Sequence, residues 1–254
     1  MKPTVFFVID TETCRFDGMV FDIGWKAIDR KGREYSQGSY LCADVLETDT
    51  PYYRKKIAAY WFKVNKSITP VRFSTVRNIF NQEISRLQNK GHRCVVCAYN
   101  AAFDQRVLDK TSKALVGRKS KFVKSQRVDW LDIWLFWAMT CPQSAKEMPK
   151  LKSGRIKTTA EAVAQFEIAK DYEHLHEGFA DAEGEAEILR TVFLMDAPYQ
   201  IKKCDRKNTP VDKDIFYILI DTRKNSVIET DESRKYLESI RNRLNTDWFF
   251  DKYV

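Results

Sequence analysis

The chain has 254 residues, of which 44% are hydrophobic and 31% charged, and its formal net charge is +8. This length suits one large domain, or one domain with an appendage, and the composition is that of a globular protein rather than a disordered or fibrous one. No apolar run approaches the roughly 20 residues needed to cross a bilayer, so no membrane partner is expected and the expected location is the cytoplasm.

Residues 4–9 form an apolar, β-branched and aromatic run that predicts a buried strand. It stops at Asp10 and lacks a small-residue cleavage site, which favours a strand over a signal peptide. Residues 19–28 and 34–42 predict the next two strands, joined by a turn at Asp29-Arg30-Lys31-Gly32 into an antiparallel meander. Tyr52, Tyr53, Tyr60, Trp61 and Phe62 then interleave with Arg54, Lys55, Lys56 and Lys63, a pattern that suits nucleic-acid contact. Over 73–89, Phe73, Val76, Ile79, Phe80, Ile84 and Leu87 fall on one helical stripe. A short strand over 93–98 feeds a helix from about 101 to 114, with Asn100 as the expected N-cap.

Between Asp109 and Asp129 the chain carries Lys110, Lys113, Arg118, Lys119, Lys121, Lys124 and Arg127 with no acidic residue. A second basic block holds Lys146, Lys150, Lys152, Arg155 and Lys157. Two such blocks suit a polyanion, because neutralising phosphates releases counterions. Residues 127–130 predict a strand, followed by a helix holding Leu131, Trp134, Leu135 and Ala138. Trp130, Trp134 and Trp137 recur at helical spacing and predict a buried face. Helices are expected near 158–168 and 180–195. Residues 197–213 are polar and basic with Pro198 and Pro210, and predict a linker. Residues 214–254 predict a ββα appendage.

The six cysteines include one close pair, Cys94 and Cys97. On a strand, residues three apart point to opposite faces, so these two share neither a metal nor a redox bond. Buried, reduced thiols are expected.

Four acidic residues stand out by placement. Asp10 and Glu12 end the first strand two positions apart, so extended geometry sends both carboxylates to one side. Asp104 lies near the first turn of the helix after strand 93–98. Asp181 begins the 180–195 helix, and His176 sits in the loop before it. An isolated Asp-x-Glu carries no signal, and a lone histidine is more often a surface or core residue. Three such segments in order are what a two-metal phosphodiesterase needs: carboxylates for two divalent ions and an imidazole to take a proton from water.

The three stretches are Val8-Ile9-Asp10-Thr11-Glu12-Thr13, Tyr99-Asn100-Ala101-Ala102-Phe103-Asp104 and His176-Glu177-Gly178-Phe179-Ala180-Asp181-Ala182. They resemble the motifs of the DnaQ-like 3′→5′ exonucleases of the DEDDh type, over residues 4 to about 195. Ala186, Ile188 and Leu189 after Asp181, and Val128-Asp129-Trp130-Leu131, extend the likeness. The resemblance implies an α/β fold: a ribonuclease H-like mixed five-stranded sheet flanked by helices (residues 1–196), followed by linker 197–213 and the ββα appendage 214–254. The sister type has a tyrosine four residues before the last aspartate, where this chain has Glu177. His176, five before Asp181, fits the histidine type, whereas His174 fits neither spacing and is expected on the surface.

The first motif departs from the family, because Cys14, Arg15 and Phe16 replace the usual Thr-Gly pair and apolar wedge. Phe16 either stacks on the 3′-terminal base or takes a hairpin-tip or core role. The resemblance implies two Mg²⁺ or Mn²⁺ ions held by Asp10, Glu12, Asp104 and Asp181, with His176 as general base. Expected substrate contacts are Thr11, Phe16, Asn100, Phe103, Arg118, Lys119 and Lys121. The implied activity is stepwise hydrolysis of single-stranded nucleic acid to nucleoside 5′-monophosphates, with DNA slightly favoured. The alternatives are an RNA-trimming exoribonuclease and a non-catalytic nucleic-acid-binding module on the same fold. The expected partners are 3′ ends of single-stranded DNA or RNA, and a second copy or another protein at the appendage.

Overall fold

The computed structural model describes residues 3–16, 18–48, 69–124, 128–140, 147–153, 157–173, 175–195, 199–205, 215–221 and 226–231. The aromatic and basic stretch 52–63, Arg127, Lys146, Arg155, His174 and the helix of the expected ββα appendage, beyond residue 231, lie outside the described residues.

Strand β1 (Thr4–Thr13) starts where expected but continues through both acidic residues. The reason is its partner. β2 (Val20–Asp29) pairs with it antiparallel along the full length, Asp10 opposite Gly24 and Glu12 opposite Asp22. A bulge between Glu12 and Thr13 breaks the register there. β3 (Glu34–Leu41) completes the meander, its turn fastened by the Lys31 and Arg33 N–H groups donating to Asp29 Oδ1. After the short α1 (Ala43–Leu46), helix α2 (Phe73–Asn89) buries Phe73, Val76, Phe80, Ile84 and Leu87, the stripe its sequence spacing requires. Phe80 meets Phe7 of β1 and Trp25 of β2 edge-on, with ring centroids 5.5 and 5.2 Å apart.

β4 (Arg93–Ala98) lies parallel to β1, and β5 (Asp129–Asp132) parallel to β4, giving the sheet order β3-β2-β1-β4-β5. The carboxyl ends of the central strands β1 and β4 therefore open side by side, where α/β sheets tend to bind ligands. Further helices among the described residues are α3 (Ala101–Leu115), α4 (Ile133–Thr140), α5 (Ala160–Glu167) and α6 (Gly178–Met195).

The strand expected at 127–130 instead runs to Asp132, because Leu131 and Asp132 pair with Cys97 and Ala98. The following helix starts later, with the Leu135 N–H donating to Asp132 Oδ1 at 3.1 Å. Trp130, Trp134 and Trp137 consequently share no helical face: Trp130 is in the strand, Trp137 is fully buried and Trp134 is half-buried. Cys14, Cys42, Cys94 and Cys97 are buried free thiols.

The chain divides into two compact units, Lys2–Val192 and one that includes Phe193–Val254. The second holds an antiparallel sheet in the order β6-β7-β8, made of β6 (Tyr199–Asp205), β7 (Ile215–Asp221) and β8 (Ser226–Asp231). Residues 199–205 are thus a strand where the polar, basic composition of 197–213, with Pro198 and Pro210, predicted a linker. Seven residue pairs with β7, a partner ten residues further on, decide its conformation.

Candidate active site

Asp10 and Glu12 alternate with Thr11 along β1, so the two acids share one face and Thr11 turns to the other. Thr11 is buried, and its Oγ1 donates to Asp104 Oδ1 at 2.7 Å. Asp104 is held one turn into α3, itself buried at 3% exposure. Asn100 precedes α3 in the left-handed region (φ 63°, ψ 54°), and its side chain makes no capping hydrogen bond. Asn100 thus holds the expected N-cap position, but without a side-chain capping bond. Asp132 of the neighbouring strand caps the helix, its Oδ2 accepting from the Ala101 N–H at 3.1 Å.

Helix α6 brings Asp181 to the same region at 1% exposure. Its two carboxylate oxygens accept the N–H groups of Leu175 and Glu177, each at 3.1 Å. The residue between those amides is His176, at φ 55°. Converging amides around a left-handed residue form an anion-binding nest, and here the anion is the chain's own Asp181. The mostly exposed imidazole turns its Nδ1 to within 3.5 Å of Glu12 Oε1. One ligand atom each from Glu12, His176 and Asp181 lies within 4.8 Å of the others, a spacing that a metal ion can bridge.

The start of α6 is fixed against β2. The Gly178 N–H donates to Asp22 Oδ2 at 2.8 Å, and a side chain at Gly24 would collide with the backbone of Gly178 and Phe179. Glycine at 24 is therefore what lets the third acidic segment reach the first.

Glu185 was missed by the sequence reading. It lies four residues after Asp181, hence on the same helical face, is 3% exposed, and accepts the Tyr99 N–H at 3.0 Å. With Asp10, Tyr99, Asn100, Trp134 and Thr158 it lines a cleft of about 460 Å³. The Asp181–Glu185 spacing was the available signal. Asp22 carried none, because only strand pairing brings it near the site.

These acids crowd one another. Asp10 keeps some solvent access, yet the surrounding protein and then Glu185, Asp104, Asp181 and Glu12 push its carboxyl well above the usual range. Burial raises Asp104 to about 7 despite the Thr11 hydrogen bond, and raises Asp181 to about 7 despite its two amides. Glu185 is pushed up by burial and by Asp104, against the pull of the Tyr99 N–H.

Phe16 is 80% exposed and its ring lies 6.0 Å from that of Phe103, with the Arg106 guanidinium 5.6 Å from the Phe103 centroid. The structure therefore brings Phe16 and Phe103 together beside Asp104. The segment bearing exposed Arg118, Lys119 and Lys121 is fastened to α2: Arg77 Nε donates to the Lys121 carbonyl and Asn81 Nδ2 to that of Phe122.

The mixed five-stranded sheet, flanked by helices and with acids at the ends of its central strands, has the ribonuclease H-like fold. No family model matches the sequence, and no curated protein matches it. Among solved structures, the chain is similar to an exonuclease I from Methylocaldum szegediense, at 16% identity over 74% of this chain and 40% of that one (TM-score 0.51). It is similar to E. coli exonuclease I in complex with a dA16 oligonucleotide, at 12% identity over 75% and 41% (TM-score 0.51). A full-length 3′-exonuclease matches at 10% identity over 76% and 83% (TM-score 0.52). The chain spans about two-fifths of the exonuclease I chains. At these identities the likeness establishes the fold.

Proposed function

We propose that the protein is a metal-dependent 3′→5′ exonuclease of the DnaQ-like, DEDDh type, hydrolysing single-stranded nucleic acid to nucleoside 5′-monophosphates. The observation that carries this is the crowding of Asp10, Glu12, Asp104 and Asp181 around one another, with His176 Nδ1 3.5 Å from Glu12. The fold shared with exonuclease I supports it.

The donor set fits hard divalent cations. Carboxylate oxygens suit Mg²⁺ or Mn²⁺, and acids forced toward neutrality by burial and by like charges are what a cation relieves. We assign Asp10, Glu12, Asp104 and Asp181 to hold two ions, which when bound polarise the phosphodiester and lower the pKa of the attacking water. Glu12 orients His176 through Nδ1, so Nε2 takes the proton as water attacks phosphorus. The bond from phosphorus to the 3′ oxygen of the preceding nucleotide breaks, that oxygen takes up a proton from solvent as the new 3′-hydroxyl, and the nucleoside 5′-monophosphate leaves. Phe16 and Phe103 offer aromatic faces to the terminal base, where stacking is worth ~1–3 kcal/mol and tolerates any sequence. Thr11 steadies Asp104, and the turn at Asn100 forms part of the cleft wall. The exposed cations at 118, 119 and 121 attract the strand's backbone. The C-terminal unit is assigned to strand delivery or to contact with a second copy or another protein. The buried thiols suit a reducing cytoplasm.

End-labelled single strands of DNA and RNA with one sequence, incubated with Mn²⁺, Mg²⁺ or EDTA, test the proposal. The expected outcome is metal-dependent laddering from the 3′ end, faster on DNA, with a circular strand protected. Strand binding without any cleavage would leave the non-catalytic module; rapid cutting of the circle would make the protein an endonuclease.

A further inference from the structure

Helix α6 carries a glycine in its interior, where glycine costs ~1 kcal/mol relative to alanine. Gly184 is buried, and a side chain there would collide with the hydroxyl and ring of Tyr172. Positions 181, 184 and 185 are spaced three and four apart, so they lie on one helical face. The Tyr172 hydroxyl therefore rests on the stretch of helix backbone that carries the Asp181 and Glu185 carboxylates. Tyr172 is fixed in that position from α5: its N–H donates to the Ala169 carbonyl at 3.0 Å, and its carbonyl accepts from Gln165 Nε2 at 2.8 Å.

A tyrosine hydroxyl beside these acids has one chemical use that His176 does not cover. An ordinary tyrosine, with a pKa of ~10, is a neutral donor near neutral pH. A neutral donor can meet a phosphate anion without competing with cations for the carboxylates. Its position, nine residues before Asp181, lies outside the histidine motif. We propose that Tyr172 contacts substrate: its hydroxyl, admitted by Gly184, donates a hydrogen bond to a phosphate oxygen of the strand's 3′-terminal nucleotide on the α6 side of the site. This rests on the exonuclease reading.

The test compares full-length wild type, Tyr172→Phe, Gly184→Ala and the double variant. With Mn²⁺ and a 5′-labelled single strand, Tyr172→Phe is expected to lose roughly 10- to 100-fold in kcat/KM, the range for one hydrogen bond to a charged group. Thymidine 5′-monophosphate, titrated calorimetrically, should bind roughly 10-fold more weakly or worse. Gly184→Ala should lose a similar factor by displacing the ring, and should cost little further in the Tyr172→Phe background, because both changes remove one contact. Unchanged kcat/KM or unchanged nucleotide affinity in Tyr172→Phe overturns the proposal, as do fully additive losses. Should Gly184→Ala fail to fold, Tyr172→Phe against wild type decides alone. A wild type that cleaves no strand with any metal overturns the exonuclease reading instead, and the same assay shows it.

Discussion

His176 is held in the left-handed region by the two amides that flank it, since the turn that puts Leu175 and Glu177 N–H groups on Asp181 leaves the middle residue at φ 55°. Such a conformation costs a non-glycine residue on the order of 1 kcal/mol. The strain serves placement: it aims the imidazole at Glu12. Replacement separates the two roles. His176→Ala is expected to cut turnover by roughly 10²–10⁴, the range for losing a general base, while strand affinity and Mn²⁺ binding hold. His176→Gly should be equally inactive yet at least as stable as wild type, because glycine accepts that φ without strain. Stopped-time nuclease assays and thermal melts check both, and wild-type turnover in either variant would remove His176 from the base role.

At the scale of elements, the site depends on how closely the start of α6 approaches β2. Gly24→Ala would drive a methyl group into the backbone of Gly178 and Phe179, and backbone has little room to yield. The start of α6 must retreat, the Asp22–Gly178 hydrogen bond breaks, and the Asp181 and Glu185 carboxylates retreat with it. A stability loss of about 1–3 kcal/mol is expected from overpacking alone, with a larger fall in kcat/KM; normal activity would show that α6 docks elsewhere. The same dependence on contact between elements explains what was legible in the sequence. α2 was readable from its stripe, and Asp10, Glu12, Asp104 and Asp181 from their positions at strand ends and helix starts. The extension of β1, the end of β5 at Asp132 and the whole of β6 were not, because partner strands impose them. Tyr172 was hidden for a related reason: its place is set by where α6 meets the segment after α5.

For the molecule as a whole, charge governs both binding and stability. Affinity for a single strand should fall with salt, with a log–log slope of roughly −0.7 per neutralised phosphate. Replacing exposed Arg118, Lys119 and Lys121 together by alanine should flatten that slope; an unchanged slope would put the strand's path elsewhere. The acidic cluster works in the opposite direction. Asp104 and Asp181 titrate near about 7 in the fold, against ~3.9 for an unperturbed aspartate. Between those values the folded state binds more protons than the unfolded chain, so linkage makes stability fall as pH rises. The contribution is complete below about pH 4 and is lost as pH climbs through 7. Without metal, the melting temperature should therefore decline across that window, and Mn²⁺ should restore it at pH 8 by supplying the missing countercharge. Asp104→Asn keeps a carbonyl to accept the Thr11 hydroxyl but removes one charge. It should raise metal-free stability at pH 8 on the order of 2 kcal/mol, flatten the pH dependence, and abolish nuclease activity. Thermal unfolding in EDTA across this pH range is the measurement. A melting temperature that rises from pH 4 to 7, with Asp104→Asn destabilised at pH 8, would mean that protein cations already neutralise the cluster, and the case for a metal-holding site would fail with it.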